Sequence, residues 1–480
     1  MFQGICYITV LLVCVTVLAT VRTRNVRQVA LLLSSIALYL SWQPWFAGVL
    51  LTSIVANFLL GKWLRQNPHP LPLAAGIAFN LALLSTFKYL PEFSAYFHSL
   101  QGLAAIALPL GISFWTFQAM SFLFDLYRRE ELDPSFAEFA LYMAFFPVTI
   151  SGPVCRLPEM LPQFRAATTT SWNDILRGIR RIATGVFMMQ LAKLLGQGIL
   201  AGDGINRGFD RVTHWSGLDV WCLAFGYGLQ LFFDFAGYSH IAIGAAKMMG
   251  ITVPENFAHP FASTSPSIFW TRWHMSLSFW IRDYVFLFLI VLRRDAWWRN
   301  FVFIFSMVLF GLWHRASLPF LLWGTYHGIL LVVHRQIETV ERKYDWTPPA
   351  FWTPFSWLVT MGVISLGWIL FRANSASQAK QMFFAVFSPA SYTFYQLSGS
   401  LYALIFFLAA GYALISWITA RFSSFEEPGE DQTAQPQFVR WLAQNRWYWL
   451  TPLYLLAMLF VLMITLNQPD AASQFMYRGF

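Results

Sequence analysis

The sequence predicts an all-α polytopic membrane protein, and three observations carry that reading. Hydrophobic residues make up 57% of the 480 positions, against roughly 45–50% in ordinary soluble domains. Charged residues make up 11%, where about 25% is usual. The apolar residues come in long unbroken runs rather than the alternating strands of a membrane barrel, so the spans are helices. With 48 Phe and 22 Trp, the chain holds more apolar surface than a soluble core hides.

The net charge is +9. Its basic residues cluster between apolar runs with no lysine-rich tail, which reads as cytoplasmic loop charge and excludes nucleic acid as a partner. Cys6, Cys14, Cys155 and Cys222 lack C-x-x-C spacing. They outline neither a disulfide frame nor a zinc site.

The first apolar run, "YITVLLVCVTVLATV" at 7–21, has no basic residue before it and Arg22, Arg24 and Arg27 after it. That reverses the charge order of a secretory signal. It reads as a span with the N-terminus outside. Residues 28–61 carry no charge and contain "SWQPW" at 41–45, which predicts two short helices meeting at Pro44. Lys62 and Arg65 then return to the cytoplasm. The run at about 71–87 ends at Lys88 and Glu92, and 93–124 delivers Asp125, Arg128 and Arg129 to the inside.

Residues 139–156 form a short apolar run broken by two prolines and a glycine, which predicts a re-entrant or interfacial segment. "SWNDILRGIRRIATG" predicts a helix capped by Ser171, with Arg177, Arg180 and Arg181 on one face; a basic helix on the inner leaflet is its plainer reading. Further spans are expected near 355–371, 401–420 and 449–466, with a polar loop at 421–440. The count is about eleven spans, in a single domain over 1–480 with no internal repeat.

Polar groups inside apolar sequence are the candidates for chemistry. Asp234 lies among apolar and small residues, where a carboxylate either binds helices together or serves a site. His274 and Arg282 are eight apart and share a face if helical; Arg272 stands two before the histidine. His314 follows the uncharged run 300–313, about 20 Å along a helix from Asn300. A histidine there suits general acid–base work. There is no H-E-x-x-H or H-x-x-x-H among these residues, so no metal is expected. There is no G-x-S-x-G, so a self-contained serine hydrolase is disfavoured.

Several stretches together resemble the membrane-bound O-acyltransferase (MBOAT) superfamily, in its bacterial alginate O-acetyltransferase-like branch. They are "PLGISFWTFQAMSFLFDLYR" at 109–128, "FFPVTISGPVCRLPEMLPQF" at 145–164, "FFDFAGYSHIAIGAAKMMGI" at 232–251, "ENFAHPF" at 255–261, "FWTRWHMSLSFWIRDYVF" at 269–286 and "GLWHRASLPFLLWGTYHG" at 311–328. The ending "QFMYRGF" is also similar to the branch. The signature region spans about 100–335.

The resemblance implies a ring of tilted helices, with re-entrant or interfacial helices, around a membrane-embedded tunnel. It implies that His314 is the catalytic histidine and His274 the second polar group of the tunnel. Asp234, Tyr238, Arg272, Arg282, Trp313 and His327 are the remaining tunnel or substrate-binding candidates. It implies acetyl-CoA as a cytoplasmic donor, with no resident cofactor, in a bacterial inner membrane among its lipids. A separate extracytoplasmic enzyme of the Ser/His/Asp type is implied to finish transfer to an exported polysaccharide such as alginate, cellulose or peptidoglycan.

Two alternatives stay open on the same residues: D-alanyl transfer from a carrier protein to teichoic acid, and a lipid or glycan transporter without acyl chemistry. Three positions depart from the branch. Arg315 stands where it has Gly, His240 where it has Asp, and the "GGN" loop after "RDYV" is missing.

Overall fold

A computed structural model describes residues 2–94, 107–166, 170–199, 203–211, 214–346, 349, 351–423, 441 and 458–459. Among them there are helices, turns and coil and no strand. The helices are α1 (Phe2–Thr20), α2 (Arg24–Trp42), α3 (Pro44–Gln66), α4 (Pro70–Leu84), α5 (Leu90–Ser94), α6 (Ile112–Tyr127), α7 (Phe136–Ala144), α8 (Phe146–Thr149), α9 (Leu157–Arg165) and α10 (Trp172–Gln197). They continue as α11 (Ile205–Arg211), α12 (Gly217–Met248), α13 (Pro266–Trp270), α14 (Met275–Ile281), α15 (Leu287–Ile290), α16 (Ala296–His314), α17 (Leu318–Lys343), α18 (Trp352–Arg372), α19 (Ala376–Phe387) and α20 (Gly399–Ser423). Two π-turns interrupt the order, Ser85–Tyr89 between α4 and α5 and Arg282–Phe286 between α14 and α15.

Six described helices are long and apolar enough to cross a membrane: Pro44–Gln66, Pro70–Ser94, Gly217–Met248, Ala296–His314, Trp352–Arg372 and Gly399–Ile418. Their outward rows match that reading. Leu51 and Leu59 of α3, and Phe406, Phe407 and Leu414 of α20, are all exposed. Such rows are stable against lipid and unstable against water. The expected span at 449–466, the loop at 421–440 and the aromatic ending fall almost wholly outside the described residues.

The chain divides into two compact units. The first holds 1–186, 238–258 and 270–316; the second holds 187–237, 259–269 and 317–480.

In the first unit the "SWQPW" break is real. Gln43 is extended and Pro44 opens α3, where its missing N–H is harmless. The two helices it joins are not short, however: α2 has 19 residues and α3 has 23. α3 and α4 are held by a reciprocal amide pair. Asn57 donates to Asn80 Oδ1 at 3.1 Å, and Asn80 donates back to Asn57 Oδ1 at 2.6 Å. Both are buried, so each satisfies a group that lipid cannot. α4 approaches α6 through Gly76, where a Cβ would come within 2.4 Å of a Leu123 methyl.

The broken run after residue 138 becomes α7, the four-residue α8 and a turn leading to α9. Residues 139–149 are all buried in protein, where irregular backbone is tolerated at membrane depth. Glu138 starts this segment. It forms a capping box with Ser135 and accepts from Arg24 at 2.8 Å and from Arg165 Nε at 2.9 Å. α7 is too short to cross a membrane. The Arg165 hydrogen bond, with the Ser135 backbone and Arg24, holds the Glu138 carboxyl at about 2 against an ordinary 4.5.

The folded pKa is the lower one, so this cluster's stabilisation is complete above about pH 4.5 and is lost as pH falls toward 2. The thermal midpoint of the purified protein should fall across that window. Glu138→Gln should start lower at neutral pH and fall less. An equal fall in the variant would show that the cluster does not carry the acid sensitivity.

Ser171 caps α10 as expected, accepting from Asp174 N at 3.1 Å. In the second unit Asp219, near the start of α12, binds a distant loop. It accepts from the backbone N–H of Gln396 at 2.8 Å and Leu397 at 3.2 Å, and from the Tyr402 hydroxyl at 2.6 Å.

Candidate active site

The first unit brings His274, His314 and Trp313 together. His314 is the last residue of α16 and is 4% exposed; His274 is 1% exposed. Both rings lie against the same two aromatic side chains. Phe310 stacks on His314 with centroids 5.3 Å apart and meets His274 at 6.3 Å. Trp313 lies 4.6 Å from His314 and 6.4 Å from His274. Phe114 and Phe117 of α6 close on Trp313 at 6.3 and 5.4 Å. The i, i+3, i+4 spacing of Phe310, Trp313 and His314 explains why one helix face supplies three of these groups.

His274 corrects one expectation. It does not share a helical face with Arg282. It precedes α14 as its N-cap, in a left-handed conformation (φ 43°, ψ 51°). A non-glycine residue there costs about 1–3 kcal/mol and persists only where its surroundings fix it.

Those surroundings are visible. His274 C=O accepts from Ser278 N at 2.9 Å, and the next residue, Met275, donates its N–H to Asn256 C=O at 2.9 Å. The Asn256 side chain accepts from Ser276 Oγ at 2.6 Å and donates to Ser239 Oγ at 2.9 Å. Ser276 Oγ in turn accepts from Val154 N at 2.9 Å. Asn256 is fully buried. A network satisfied at each of these links holds the turn more firmly than a single bond would.

The other end of the site rests on the first π-turn. A π-turn adds one residue to a helical turn and rotates the residues beyond it. Here it brings Lys88, Tyr89 and Glu92 onto the end of α16. Tyr89 donates to the C=O of Leu312 at 3.2 Å and of Trp313 at 3.4 Å. These carbonyls have no partner inside the helix once it stops at His314. Lys88 is 9% exposed, and its ammonium stands 4.7 Å from the Trp313 ring centre. Arg315 Nε pairs with Glu92 Oε1 at 2.9 Å. The departure at Arg315 is thus matched by a carboxylate on the neighbouring helix.

The remaining candidates fall elsewhere. Tyr238 is half-buried in the first unit. Arg272 is half-buried too, its C=O accepting from Ala258 N at 3.1 Å. Arg282 is half-exposed and pairs with Asp283 at 2.7 Å. Asp234 and His327 belong to the second unit and are buried. His327 there packs on Trp323 at 4.8 Å and against Gly367, where a Cβ would sit 2.5 Å from Nε2.

Sequence reasoning missed Lys88, Tyr89, Asn256 and Ser276. Lys88 read as the end of a span, and only the π-turn and the contact with residues more than 220 positions away reveal it. Asn256 lies inside the quoted "ENFAHPF" block but carries no charge to draw attention. Among the described residues no cluster of His, Cys, Asp or Glu could hold a metal ion.

A helical protein with six described helices of membrane-spanning length and apolarity, and two buried histidines in one aromatic enclosure, is a polytopic membrane protein with one candidate site in its first unit. The model of MBOAT, the membrane-bound O-acyltransferase family, matches residues 120–371. The chain is 33% identical over 380 residues to the probable alginate O-acetylase AlgI of Pseudomonas putida, covering 75% of each chain. It is 31% identical to the peptidoglycan O-acetyltransferase of Helicobacter pylori, over 73% of this chain and 71% of that one. It is 33% identical to the teichoic acid D-alanyltransferase of Bacillus subtilis, over 55% of this chain and 69% of that one. The chain belongs to the membrane-bound O-acyltransferase family, and it is a multi-pass membrane O-acyltransferase.

Proposed function

We propose that the chain passes acetyl groups from cytoplasmic acetyl-CoA across the bacterial inner membrane for O-acetylation of an exported polysaccharide. The observation that carries this reading is the joint placement of His274 and His314 against Phe310 and Trp313. His314 takes the proton of an acceptor hydroxyl, the hydroxyl oxygen attacks the thioester carbonyl, and the carbon–sulfur bond breaks. The leaving thiolate receives the proton that His314 holds. Products are an ester and free thiol. Lys88, its amine 4.7 Å from the Trp313 ring centre, is a hydrogen-bond donor beside this chemistry. His274 serves as the second polar group of the tunnel, and Tyr238, Arg272 and Arg282 of the same unit are assigned to its lining or to substrate.

Acetyl is favoured over D-alanyl because similarity to the two acetyl-transferring relatives covers more of the chain. The D-alanyl reading has its own support in the 33% identity to the Bacillus protein and 32% identity to a second teichoic acid D-alanyltransferase, from Streptococcus thermophilus. In this reading an extracytoplasmic Ser/His/Asp-type acetyltransferase completes the transfer, as the family resemblance implies; the lack of a G-x-S-x-G elbow in this chain is consistent with it. The test is coenzyme A release from acetyl-CoA by the purified chain, with and without such a partner. Release that rises with the partner supports the reading. Turnover only of a D-alanyl-loaded carrier would replace acetyl by D-alanyl, and no thioester turnover would favour a transporter.

The proposed orientation puts the N-terminus outside and Arg22–Arg27, Lys62–Arg65 and Asp125–Arg129 in the cytoplasm. Single cysteines at the exposed positions 25 and 66, in a chain with its native cysteines replaced, should resist a membrane-impermeant thiol reagent in intact cells and react after permeabilisation. Efficient labelling from outside would invert the orientation.

A further inference from the structure

The second π-turn, Arg282–Phe286, gathers three arginines from separate segments. Arg156 Nη2 lies 2.7 Å from Asp283 Oδ2, and Arg282 Nε lies 2.7 Å from Asp283 Oδ1. Arg128 Nη2 donates to the Asp283 C=O at 2.5 Å. The guanidinium groups of Arg128 and Arg156 each stand 5.2 Å from the Tyr284 ring centre. The Tyr284 hydroxyl donates to Asp125 Oδ1 at 2.8 Å.

A purely structural ion-pair network is the simpler reading, but its charges are unevenly met. Asp283 is the one carboxylate among the described residues that pairs directly with any of the three; at longer range Glu159 acts on Arg156 and Asp125 acts on Arg128 and Arg156. Arg128 makes no direct ion pair with a carboxylate among the described residues and is exposed, and the Arg282 side chain is 55% exposed. Each guanidinium carries five N–H donors. The bonds to Asp283 use one from Arg128, one from Arg156 and two from Arg282.

We propose that Arg128, Arg156 and Arg282 form a phosphate-binding fork for the donor's anionic end. The proposal rests on the acyl-transfer reading above and names the donor's recognised group. Two guanidiniums held against one tyrosine ring are ordered before any ligand arrives, and ordered guanidiniums favour phosphate oxygens. The fork stands at one end of α14 and His274 at the other, eight residues or about 12 Å away at helical rise. A thioester donor has the matching layout. Its acyl group sits on the thiol of a long pantetheine arm, and its phosphate sits at the opposite end. Free coenzyme A and the phosphopantetheine of a carrier protein share that chemistry.

The experiment measures thioester cleavage by the purified full chain, with its extracytoplasmic acceptor partner present, with acetyl-CoA, acetyl-phosphopantetheine, acetyl-pantetheine, and a carrier protein bearing acetyl-phosphopantetheine. In the wild type, KM for acetyl-pantetheine should exceed that for the preferred phosphate-bearing donor by at least about tenfold, some 1.4 kcal/mol of discrimination. In a double variant Arg128→Ala, Arg282→Ala that preference should shrink to about twofold or less, with KM moving more than kcat. Both substituted residues are on the exposed side of the fork, and the wild-type donor series stands without them. If acetyl-CoA shows the arginine dependence, the phosphate recognised is coenzyme A's; if only the loaded carrier shows it, the phosphate is the carrier's. Equal KM values for acetyl-pantetheine and every phosphate-bearing donor would overturn the fork alone. No turnover of any donor would overturn the fork together with the acyl-transfer reading.

Discussion

His314→Ala is expected to lower acyl transfer by about 10²–10⁴-fold, the range that general-base assistance supplies. Its imidazole sits at the end of α16 between Phe310 and Trp313, and no other described histidine has that position. Removing a buried ring also leaves a cavity, so His314→Gln is the control that keeps volume and polarity. Both variants should reach the membrane in near-normal amount and elute as folded protein, because the end of α16 remains capped by Tyr89. Retention of more than about a tenth of wild-type thioester cleavage in either variant would remove His314 from the chemistry. His274→Ala should be impaired less completely.

Asn256→Ala is expected to lower stability and activity together. The side chain joins Ser239 to Ser276, and Ser276 also satisfies the Val154 N–H. Leaving one such buried group without its partner costs about 1–3 kcal/mol. The same loss frees the turn that keeps His274 in its left-handed conformation. Ser276→Ala should behave similarly, since it too breaks the chain of bonds. A double variant should then lose less than the sum of the single losses, because both act on one network. Additive losses measured by thermal unfolding, or full activity in Asn256→Ala, would show that the network does not position His274.

The class of fold was legible because lipid imposes a blunt rule. Long uncharged runs flanked by arginine clusters spell out helices, and α3, α16, α18 and α20 lie where those runs do. The break at Pro44 and the cap at Ser171 were legible for local reasons, a missing N–H and a serine hydroxyl. His274, His314 and Trp313 were legible as polar or amphipathic groups in apolar surroundings and through motif resemblance.

What the sequence concealed was long-range or conformational. A π-turn has no composition signature, so Lys88 and Tyr89 read as the end of a span. The backbone of His274 read as helical because the residues after it are. Asn256 and Ser276 are ordinary uncharged residues, and their role depends on four segments meeting. The pairing of Arg315 with Glu92 joins positions 223 apart and has no local trace.

The most direct test of the account is sided. The purified chain would be reconstituted in lipid vesicles of known orientation, with radiolabelled acetyl-CoA supplied to one face and the extracytoplasmic partner on the other. The account predicts label on the partner only when acetyl-CoA is on the face bearing Arg24, Arg65 and Arg128, and none with the His314→Ala chain. Labelling from the opposite face, or labelling that survives loss of His314, would contradict it.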